Sequence, residues 1–345
     1  MQRVFITGSA GFIGFHLSQL LLKEGYQIHG YDGMTDYYDV RLKQRRHQIL
    51  LQSPNFAATE AMLQDDDTLQ QTVDRFAPDV IIHLAGQAGV RYSLENPRAY
   101  IDGNVTGSFN VMEAARRLNV QHLLMASTSS VYGANTEMPF AETQKADTPL
   151  TIYAATKKAT EAMGHSYAHL HDLPVTMFRF FTVYGPWGRP DMAFFKFTDA
   201  ILKGDPIDIY NNGEMYRDFT FVTDLARAIR LLIDAVPPAT ADRLTADHPT
   251  GAAPIDGDSL SPAAPFRVVN IGNSDTVHLM DFIAAIEEAT GTQAKRNFMP
   301  MQTGDVPATW ANADLLNALT GYRPRTHYKD GVAQFVRWFR DYYQL

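Results

Sequence analysis

The sequence predicts an α/β protein built on a doubly wound parallel sheet. Over the first half of the chain, short and almost continuously apolar segments such as residues 79–84 (DVIIHL) alternate with amphipathic segments of helical period. A strand that is apolar on both sides must be covered on both faces, as happens when helices connect parallel strands. The 345 residues, 45% of them hydrophobic and 20% charged, suit a folded protein of two domains or of one large α/β unit.

The first predicted strand ends at a glycine and the second at an aspartate, and the predicted helices have apolar residues at helical spacing. The first strand, residues 3–7, ends at Gly8, and the helix after it runs up to Gly25. The other predicted strands of the first half are residues 27–32, 79–84, 121–126 and 174–179, and the other predicted helices are residues 68–76, 104–118 and 153–171.

Beyond about residue 180 this regular alternation stops. Prolines, aromatic residues and shorter helical segments follow, the latter at residues 193–203, 223–235, 279–290, 312–319 and 328–343. Residues 236–265 are rich in Ala, Pro, Asp and Thr and are predicted to form an exposed loop. We therefore predict two domains, residues 1–180 and a smaller α/β domain of residues 181–345, with room for strands or helices exchanged between them.

Composition and charge exclude several classes of function. A net charge of −8 argues against nucleic acid or an anionic membrane as a partner. The chain has no cysteine, which removes disulfides and thiolate chemistry and is compatible with the cytoplasm. The start of the sequence does not resemble a signal peptide, and no apolar run approaches the roughly 20 residues of a membrane helix. The 11 histidines show no metal-ligand spacing, so no metal site is predicted.

A glycine-rich turn, residues 8–14 (GSAGFIG), joins the first strand to the first helix. Glycine at Gly8, Gly11 and Gly14 permits a tight turn, lets backbone N–H groups approach a pyrophosphate and lets the helix pack closely on the strand. Asp32, at the end of the second strand, is placed to accept hydrogen bonds from an adenosine ribose and would repel a 2′-phosphate. These features predict a Rossmann-type domain that binds NAD in preference to NADP. The alternative is a glycine-rich turn with a capping aspartate.

A cluster of hydroxyl groups follows another buried strand, in residues 126–133 (ASTSSVYG). Such a cluster at one strand end suits a ligand rich in oxygen atoms, although a plain strand-end turn remains the alternative for Ser127. Tyr153 and Lys157 are four residues apart, so they lie on one face of the predicted helix. Chemistry on a sugar hydroxyl needs a base, and a nearby Lys, together with a positive nicotinamide ring, favours the phenolate of Tyr153.

Several motifs together resemble the extended short-chain dehydrogenase/reductase family. The glycine spacing GxxGxxG is followed by HLAG at residues 83–86, the hydroxyl cluster, and YAATK at residues 153–157. Three further motifs narrow the resemblance to the NAD-dependent UDP-glucuronate 4-epimerases, which make UDP-galacturonate. They are GVRYS at residues 89–93, RFFTVYGPWGRPDM at residues 179–192 and RDF at residues 217–219. The resemblance covers nearly the whole chain, least of all residues 236–265.

The resemblance implies a role for particular residues of this sequence. It implies that Thr128 shares the proton of the reacting oxygen with Tyr153, which together with Lys157 forms the catalytic group. Substrate contacts are implied at Ser129, Ser130, Thr182, Arg189, Arg91, Arg217 and Asp305. Cofactor contacts are implied at Gly8, Gly11, Phe12, Ile13, Gly14, Asp32, Leu63, Leu84, Ala85, Asn104, Tyr153 and Lys157. It also suggests a homodimer formed by the helices at residues 104–118 and 153–171.

A carboxylate on the sugar raises a chemical problem. Oxidation of glucuronate at C4 gives a β-keto acid, which loses carbon dioxide readily when its carboxylate stands perpendicular to the carbonyl. A planar guanidinium that makes two hydrogen bonds can hold the carboxylate near the carbonyl plane. The resemblance implies that Arg189 does so with Thr182 and Ser130, whereas a loop arginine in a Gly-Arg-Pro turn is the alternative.

Departures from related families sharpen the choice of activity. Related decarboxylases usually carry Glu where this chain has Ser130, and galactose-type epimerases usually carry Asn where it has Thr182. Several relatives have Arg in place of Gln302, and many have Asp before the position of Leu63, where this chain has Met62. The leading hypothesis is an NAD-using UDP-glucuronate 4-epimerase. Another UDP-sugar 4-epimerase, a decarboxylase or dehydratase, and a non-catalytic dinucleotide sensor are the alternatives.

Overall fold

The computed structural model describes residues 1–239 and 255–345. The strands in chain order are β1 (Arg3–Thr7), β2 (Gln27–Asp32), β3 (Phe56–Glu60), β4 (Val80–His83), β5 (His122–Thr128), β6 (Val175–Phe180), β7 (Thr182–Tyr184), β8 (Pro206–Ile209), β9 (Tyr216–Arg217), β10 (Phe219–Phe221), β11 (Phe266–Ile271), β12 (Val277–His278), β13 (Lys295–Phe298) and β14 (Ala308–Thr309).

The described residues also form twelve α-helices. In chain order they are α1 (Phe12–Lys23), α2 (Val40–Leu50), α3 (Asp66–Phe76), α4 (Tyr92–Glu95), α5 (Pro97–Tyr100), α6 (Gly107–Leu118), α7 (Ile152–His171), α8 (Ala193–Lys203), α9 (Val222–Leu232), α10 (Leu279–Thr290), α11 (Asp314–Thr320) and α12 (Tyr328–Tyr343). A π-helical segment, Ile101–Thr106, leads into α6.

The central sheet confirms the predicted fold class. Its seven strands lie in the order β11-β6-β5-β4-β1-β2-β3, and every pair is parallel. From β1 the chain moves outward to β2 and β3 on one side and to β4, β5 and β6 on the other. The strand order therefore reverses between β1 and β4. Ligands of doubly wound sheets bind at the carboxyl ends of the strands at this reversal.

Helices cover both faces of the sheet, which explains the apolar strands of the sequence. On one face the core contains residues of α1 and α9, such as Leu17 and Ile229. On the other it contains residues of α3, α6 and α7, such as Leu69 and Met112. Successive β4 residues alternate between the two cores, with Ile82 in the first and Ile81 in the second. Both side-chain directions are therefore buried, as the run DVIIHL predicted.

The second half of the chain forms small sheets around a third, aromatic core. Parallel β7 and β10, the β12-β9-β14 sheet, and β8 with β13 pack with α8, α10 and α12. Two elements from this half belong instead to the part built on the central sheet, because β11 pairs with β6 and α9 packs in the core with α1. The chain thus passes between the two parts more than once.

The sequence reasoning missed α2, β3, the short helices α4 and α5, and all strands after residue 180. On α2, Leu42 and Leu50 are buried, but so are the charged Lys43 and Arg46, so no apolar stripe marks the helix. Of the predicted loop at residues 236–265, residues 240–254 lie outside the described residues. Its described end is not fully exposed, because Ser261 and Ala264 are buried. No helix among the described residues is long and apolar enough to cross a membrane.

Two buried histidines and the partly buried His16 make folding sensitive to acid. Burial lowers the pKa of His16 to about 4, of His83 to about 3 and of His122 to about 4. His122 lies on β5, with Nδ1 3.2 Å from the Ile233 carbonyl oxygen and Nε2 2.8 Å from the Thr176 hydroxyl. The neutral ring satisfies both contacts, since one nitrogen donates and the other accepts.

Replacing His122 should flatten the pH dependence of stability. The unfolded state has the higher histidine pKa, so it binds more protons as the pH falls from about 6.5 to about 4, and stability is lost over this window. Gln retains one donor and one acceptor without titrating. Between pH 7 and pH 5 the wild type should lose roughly 2 kcal/mol more unfolding free energy than His122→Gln, as measured with urea. Equal losses in the two proteins would contradict the neutral state of His122.

Candidate active site

Three of the predicted segments leave the central sheet where its strand order reverses. In the registers of the central strands, Thr7 of β1 pairs with His83 of β4, and His83 pairs with Met125 of β5. The glycine turn, the residues after β4 and the hydroxyl cluster therefore leave neighbouring strands on the same edge.

The glycine turn is tight enough to need its glycines. Gly8 has φ +75°, and a Cβ there would lie 2.7 Å from the backbone nitrogen of Ala85. A Cβ on Gly14 would lie 2.1 Å from the Gly8 carbonyl oxygen. Gly11 precedes α1 without a side-chain cap, so the first N–H groups of that helix, at Phe12 and Ile13, have no partner within the helix. This bare helix start fits a diphosphate.

Asp32 lies at the edge of this turn. Its Oδ2 accepts a hydrogen bond from the Ala10 nitrogen at 3.0 Å, and its Oδ1 accepts one from the Met34 nitrogen at 2.9 Å. These contacts fix the carboxylate beside the turn, where the ribose next to a bound diphosphate would lie. Leu84 and Ala85 also border the turn, because both backbone nitrogens donate to Thr7.

Leu63 is buried close to α6, where the carbonyl oxygen of Leu63 accepts a hydrogen bond from Nδ2 of Asn110 at 2.8 Å. Asn104 lies buried in the π-helical segment. Its amide exchanges hydrogen bonds with the backbone of Gln87, at 2.8 and 3.0 Å, and donates to the Thr156 hydroxyl at 3.1 Å. Asn104 thereby ties α7 to the segment after β4.

Helix α7 carries Tyr153 and Lys157 on adjacent turns. Thr151 caps its start, because the Thr151 hydroxyl accepts from the nitrogen of Ala154 at 3.2 Å. Lys157 is buried, and its Nζ donates to the carbonyl oxygen of Ala126 at 3.0 Å. Burial lowers the pKa of Lys157 to about 8, so it stays largely protonated at neutral pH.

The electrostatics of Tyr153 differ from the expectation. Burial raises its pKa above 10, while a hydrogen bond with Thr128 and the charge of Arg189 lower it. Lys157 instead holds the backbone at the end of β5. The contacts of the chain therefore do not by themselves produce the lowered pKa that the Tyr-Lys spacing suggested.

The hydroxyl cluster divides into two parts with different partners. The Thr128 hydroxyl accepts from the backbone nitrogen of Ser130 at 3.2 Å and lies 3.3 Å from the Ser130 hydroxyl. Ser127, by contrast, donates to Oε1 of Glu161 at 2.6 Å, and Glu161 forms a buried pair with Arg179 at 2.8 Å. Ser127 is therefore part of a buried ionic network, whereas Thr128 and Ser130 contact each other.

Arg189 has a partner that the sequence reasoning missed. Its Nε donates to Oδ1 of Asp191 at 3.0 Å, and its Nη2 donates to Oδ2 at 2.6 Å. The Tyr37 hydroxyl donates to the same carboxylate at 3.3 Å. Burial opposes the charge of Asp191, but the guanidinium holds the pKa of Asp191 below its usual value. Asp191 occupies the Nε–Nη2 edge of the guanidinium and leaves the edge formed by N–H groups of Nη1 and Nη2 for a second carboxylate.

A second polar cluster lies where the small sheets begin. Arg217 donates to the carbonyl oxygens of Val306 and Pro307 at 2.7 and 3.1 Å. Arg91 lies 3.7 Å from Asp305, whose charge also acts on Arg217. The structure thus brings together all three residues expected at the nucleotide end. Thr182, the first residue of β7, is half-buried and bonds through its nitrogen to the Asp218 carbonyl oxygen.

Comparison with known proteins gives consistent matches. The model of the NAD dependent epimerase/dehydratase family matches residues 4–241. A probable UDP-glucuronate 4-epimerase from Rhizobium meliloti (strain 1021) is 54% identical over 343 residues, which is 99% of this chain and 98% of that protein. UDP-glucuronate 4-epimerase 4 of Arabidopsis thaliana is 41% identical, over 99% of this chain and 76% of that protein.

A solved structure of similar shape carries both expected ligands. The crystal structure of UDP-glucuronic acid 4-epimerase from Bacillus cereus, in complex with UDP-glucuronic acid and NAD, matches with a TM-score of 0.85. It is 28% identical, and the match covers 99% of this chain and 100% of that one. On the extent of the family match and the identity to these relatives, the chain belongs to the NAD-dependent epimerase/dehydratase family.

Proposed function

We propose that this protein interconverts UDP-glucuronate and UDP-galacturonate by reversible epimerisation at C4, with bound NAD. One observation carries the proposal. Thr128 and Arg189 both act on the phenol of Tyr153, and Lys157, one turn further along α7, donates to the backbone at the end of β5. A base for a sugar hydroxyl therefore stands beside a cation that suits a sugar carboxylate.

In this proposal Tyr153 takes the proton from the C4 hydroxyl, and Thr128 shares that proton. Lys157 keeps the end of β5 in place through Ala126 and adds a positive charge to the site. NAD, when bound, accepts the hydride from C4 and returns it, and the charge of its ring favours the phenolate. Between the two transfers the 4-keto sugar rotates, so that it presents its other face.

Residues 1–180 hold the cofactor in this proposal, and residues 181–345 supply most substrate contacts. Gly8, Gly11 and Gly14, with the N–H groups of Phe12 and Ile13, cradle the diphosphate of NAD. Asp32 binds the adenosine ribose. Further contacts with NAD come from Leu63, Leu84, Ala85 and Asn104. Arg91, Arg217 and Asp305 bind the UDP moiety, Ser129 and Ser130 bind sugar oxygens, and Arg189 with Thr182 and Ser130 binds the carboxylate.

The proposal is tested by product analysis. The purified protein is incubated with UDP-glucuronate, and products are followed by proton NMR. UDP-galacturonate should appear without added reductant, and the same mixture should form from either epimer. A UDP-pentose as the main product would indicate a decarboxylase, and turnover confined to UDP-glucose would indicate another epimerase; either would refute the proposal.

Asp32 should decide the choice of cofactor. Asp32→Ala removes a charged acceptor, so NAD affinity should fall by roughly 10- to 100-fold while UDP affinity changes little. The exposed Asp36 of the same loop provides a matched control, because Asp36→Ala removes a carboxylate without a contact to the glycine turn. Affinities are measured by calorimetry on protein freed of nucleotide. Equal binding of NAD and NADP by the wild type would contradict this role of Asp32.

We also propose that the protein is a cytoplasmic homodimer paired through α6 and α7. Large apolar side chains are exposed on both helices, with Phe109 at 44% and Leu170 at 71%. The Tyr167 hydroxyl donates to Glu113 at 2.5 Å and joins the two helices into one surface. Sedimentation equilibrium measures the mass, and a monomer at micromolar concentration would argue against the dimer.

A further inference from the structure

Arg46 on α2 is an arginine with no exposed surface. Among the described residues no carboxylate forms an ion pair with Arg46; its acceptors are the Tyr38 hydroxyl and three backbone carbonyl oxygens. A buried charge is unfavourable unless it is paired or fully hydrogen-bonded. An apolar residue would fill the same space without the free-energy cost of burying a charge. The location of the four acceptors therefore bears on the role of Arg46.

The acceptors of Arg46 belong to two different parts of the site. Nη1 donates to the carbonyl oxygen of Ala10, in the glycine turn, at 3.0 Å. Nη2 donates to the carbonyl oxygens of Trp187 and Gly188, at 2.5 and 3.3 Å. Gly188 directly precedes Arg189. The guanidinium of Arg46 therefore joins the glycine turn to the backbone that carries Arg189.

The backbone around Arg189, which we call the clamp segment (residues 185–191), is not part of a regular helix or strand. Trp187 has φ +62°, a conformation uncommon outside glycine. His16 on α1 contacts the carbonyl oxygen of Pro186 through Nε2 at 2.8 Å. Side chains of α1 and α2, the first two helices after the glycine turn in sequence, thus occupy three successive carbonyl oxygens of the clamp segment.

We propose that Arg46 is a positioning residue that fixes Arg189 relative to the glycine turn. By doing so, Arg46 sets the preference of the site for a sugar that carries a carboxylate. This inference rests on the proposed function, in which Arg189 binds that carboxylate. The sugar is held from the nucleotide end, so a bidentate contact forms only if the guanidinium of Arg189 stands at a fixed distance from it. Arg46 supplies this constraint without touching the substrate.

The test uses Arg46→Met, with Arg45→Met as the matched control. Arg45 is the neighbouring arginine on α2 and is exposed, so its replacement removes the same charge without the carbonyl contacts. Dissociation constants for UDP-glucuronate and UDP-glucose are measured by calorimetry on the NAD-loaded protein. The ratio of the UDP-glucose constant to the UDP-glucuronate constant isolates the carboxylate, because the two ligands differ only at C6.

The ratio should fall by roughly 10- to 100-fold in Arg46→Met, the scale expected when a charged group is displaced by about 1 Å. Binding of UDP-glucose should change little, and Arg45→Met should behave as the wild type. An unchanged ratio, or an equal weakening of both ligands, would show that Arg46 serves only general stability and would overturn the inference.

If Arg46→Met does not fold, Arg46→Lys decides the question. Lys keeps the charge but has a single donor group, which cannot reach both the glycine turn and the clamp segment. The ratio should then fall by at least about threefold; an unchanged ratio in folded Arg46→Lys overturns the inference. A wild type that does not prefer UDP-glucuronate would refute the proposed function instead, so the two failures are distinguishable.

Discussion

Tyr153→Phe should fold and bind NAD normally while its epimerisation rate falls by roughly 10²- to 10⁴-fold. The change keeps the aromatic ring and its packing but removes the oxygen that accepts the proton. The loss of general acid–base catalysis corresponds to roughly 3–5 kcal/mol in the activation free energy. The rate is measured with saturating UDP-glucuronate, alongside the NAD content and the melting temperature of the variant.

Tyr26→Phe serves as the control for this change, since Tyr26 packs in the core beside α1, away from the predicted site. It removes a phenolic hydroxyl from the same protein and should leave the rate unchanged. A near-normal rate in Tyr153→Phe would instead assign the base elsewhere, most directly to the hydroxyls of Thr128 and Ser130.

Arg189→Ala should change the products as well as the rate. Without the guanidinium, the sugar carboxylate loses a charge-assisted bidentate partner, at a cost of roughly 2–5 kcal/mol in a desolvated site. The freed carboxylate can rotate out of the plane of the C4 carbonyl. The C5–C6 bond then breaks, carbon dioxide leaves, and a proton takes its place at C5 to give a 4-keto pentose. NMR and mass spectrometry of the products at saturating UDP-glucuronate should detect it.

Two comparisons separate this effect from general damage. UDP-glucose has no carboxylate, so its binding should be nearly unaffected by Arg189→Ala. Arg41→Ala removes an arginine whose side chain is 81% exposed, and should leave both rate and products unchanged. If Arg189→Ala epimerised UDP-glucuronate normally and released no decarboxylated product, the carboxylate would be held by other residues.

The sequence predicted those parts of the fold in which side-chain type follows burial. β4 could be recognised because both of its faces are buried, and α7 because its sequence has an amphipathic pattern of helical period. α2 could not, because Lys43 and Arg46 are buried through hydrogen bonds to backbone oxygens. Such contacts depend on where distant segments lie and leave no periodic pattern.

The site, like the fold, was predictable only where a local sequence pattern marks it. The glycine turn and Asp32 have a local signature, and the structure brings them together as expected. The pairing of Arg189 with Asp191 had only a weak signal, a carboxylate two residues further along. The pKa of Tyr153 depends on burial and on Thr128, which the spacing to Lys157 does not reveal. The individual roles of these residues stay predictions.

The central claim is that hydride leaves C4 of the sugar and returns to the same carbon. UDP-glucuronate carrying deuterium at C4 is incubated with the purified protein in ordinary water, and the UDP-galacturonate formed is examined by NMR and mass spectrometry. The product should retain the deuterium at C4 in full. UDP-galacturonate that has lost the label to solvent, or the absence of UDP-galacturonate, would contradict this claim.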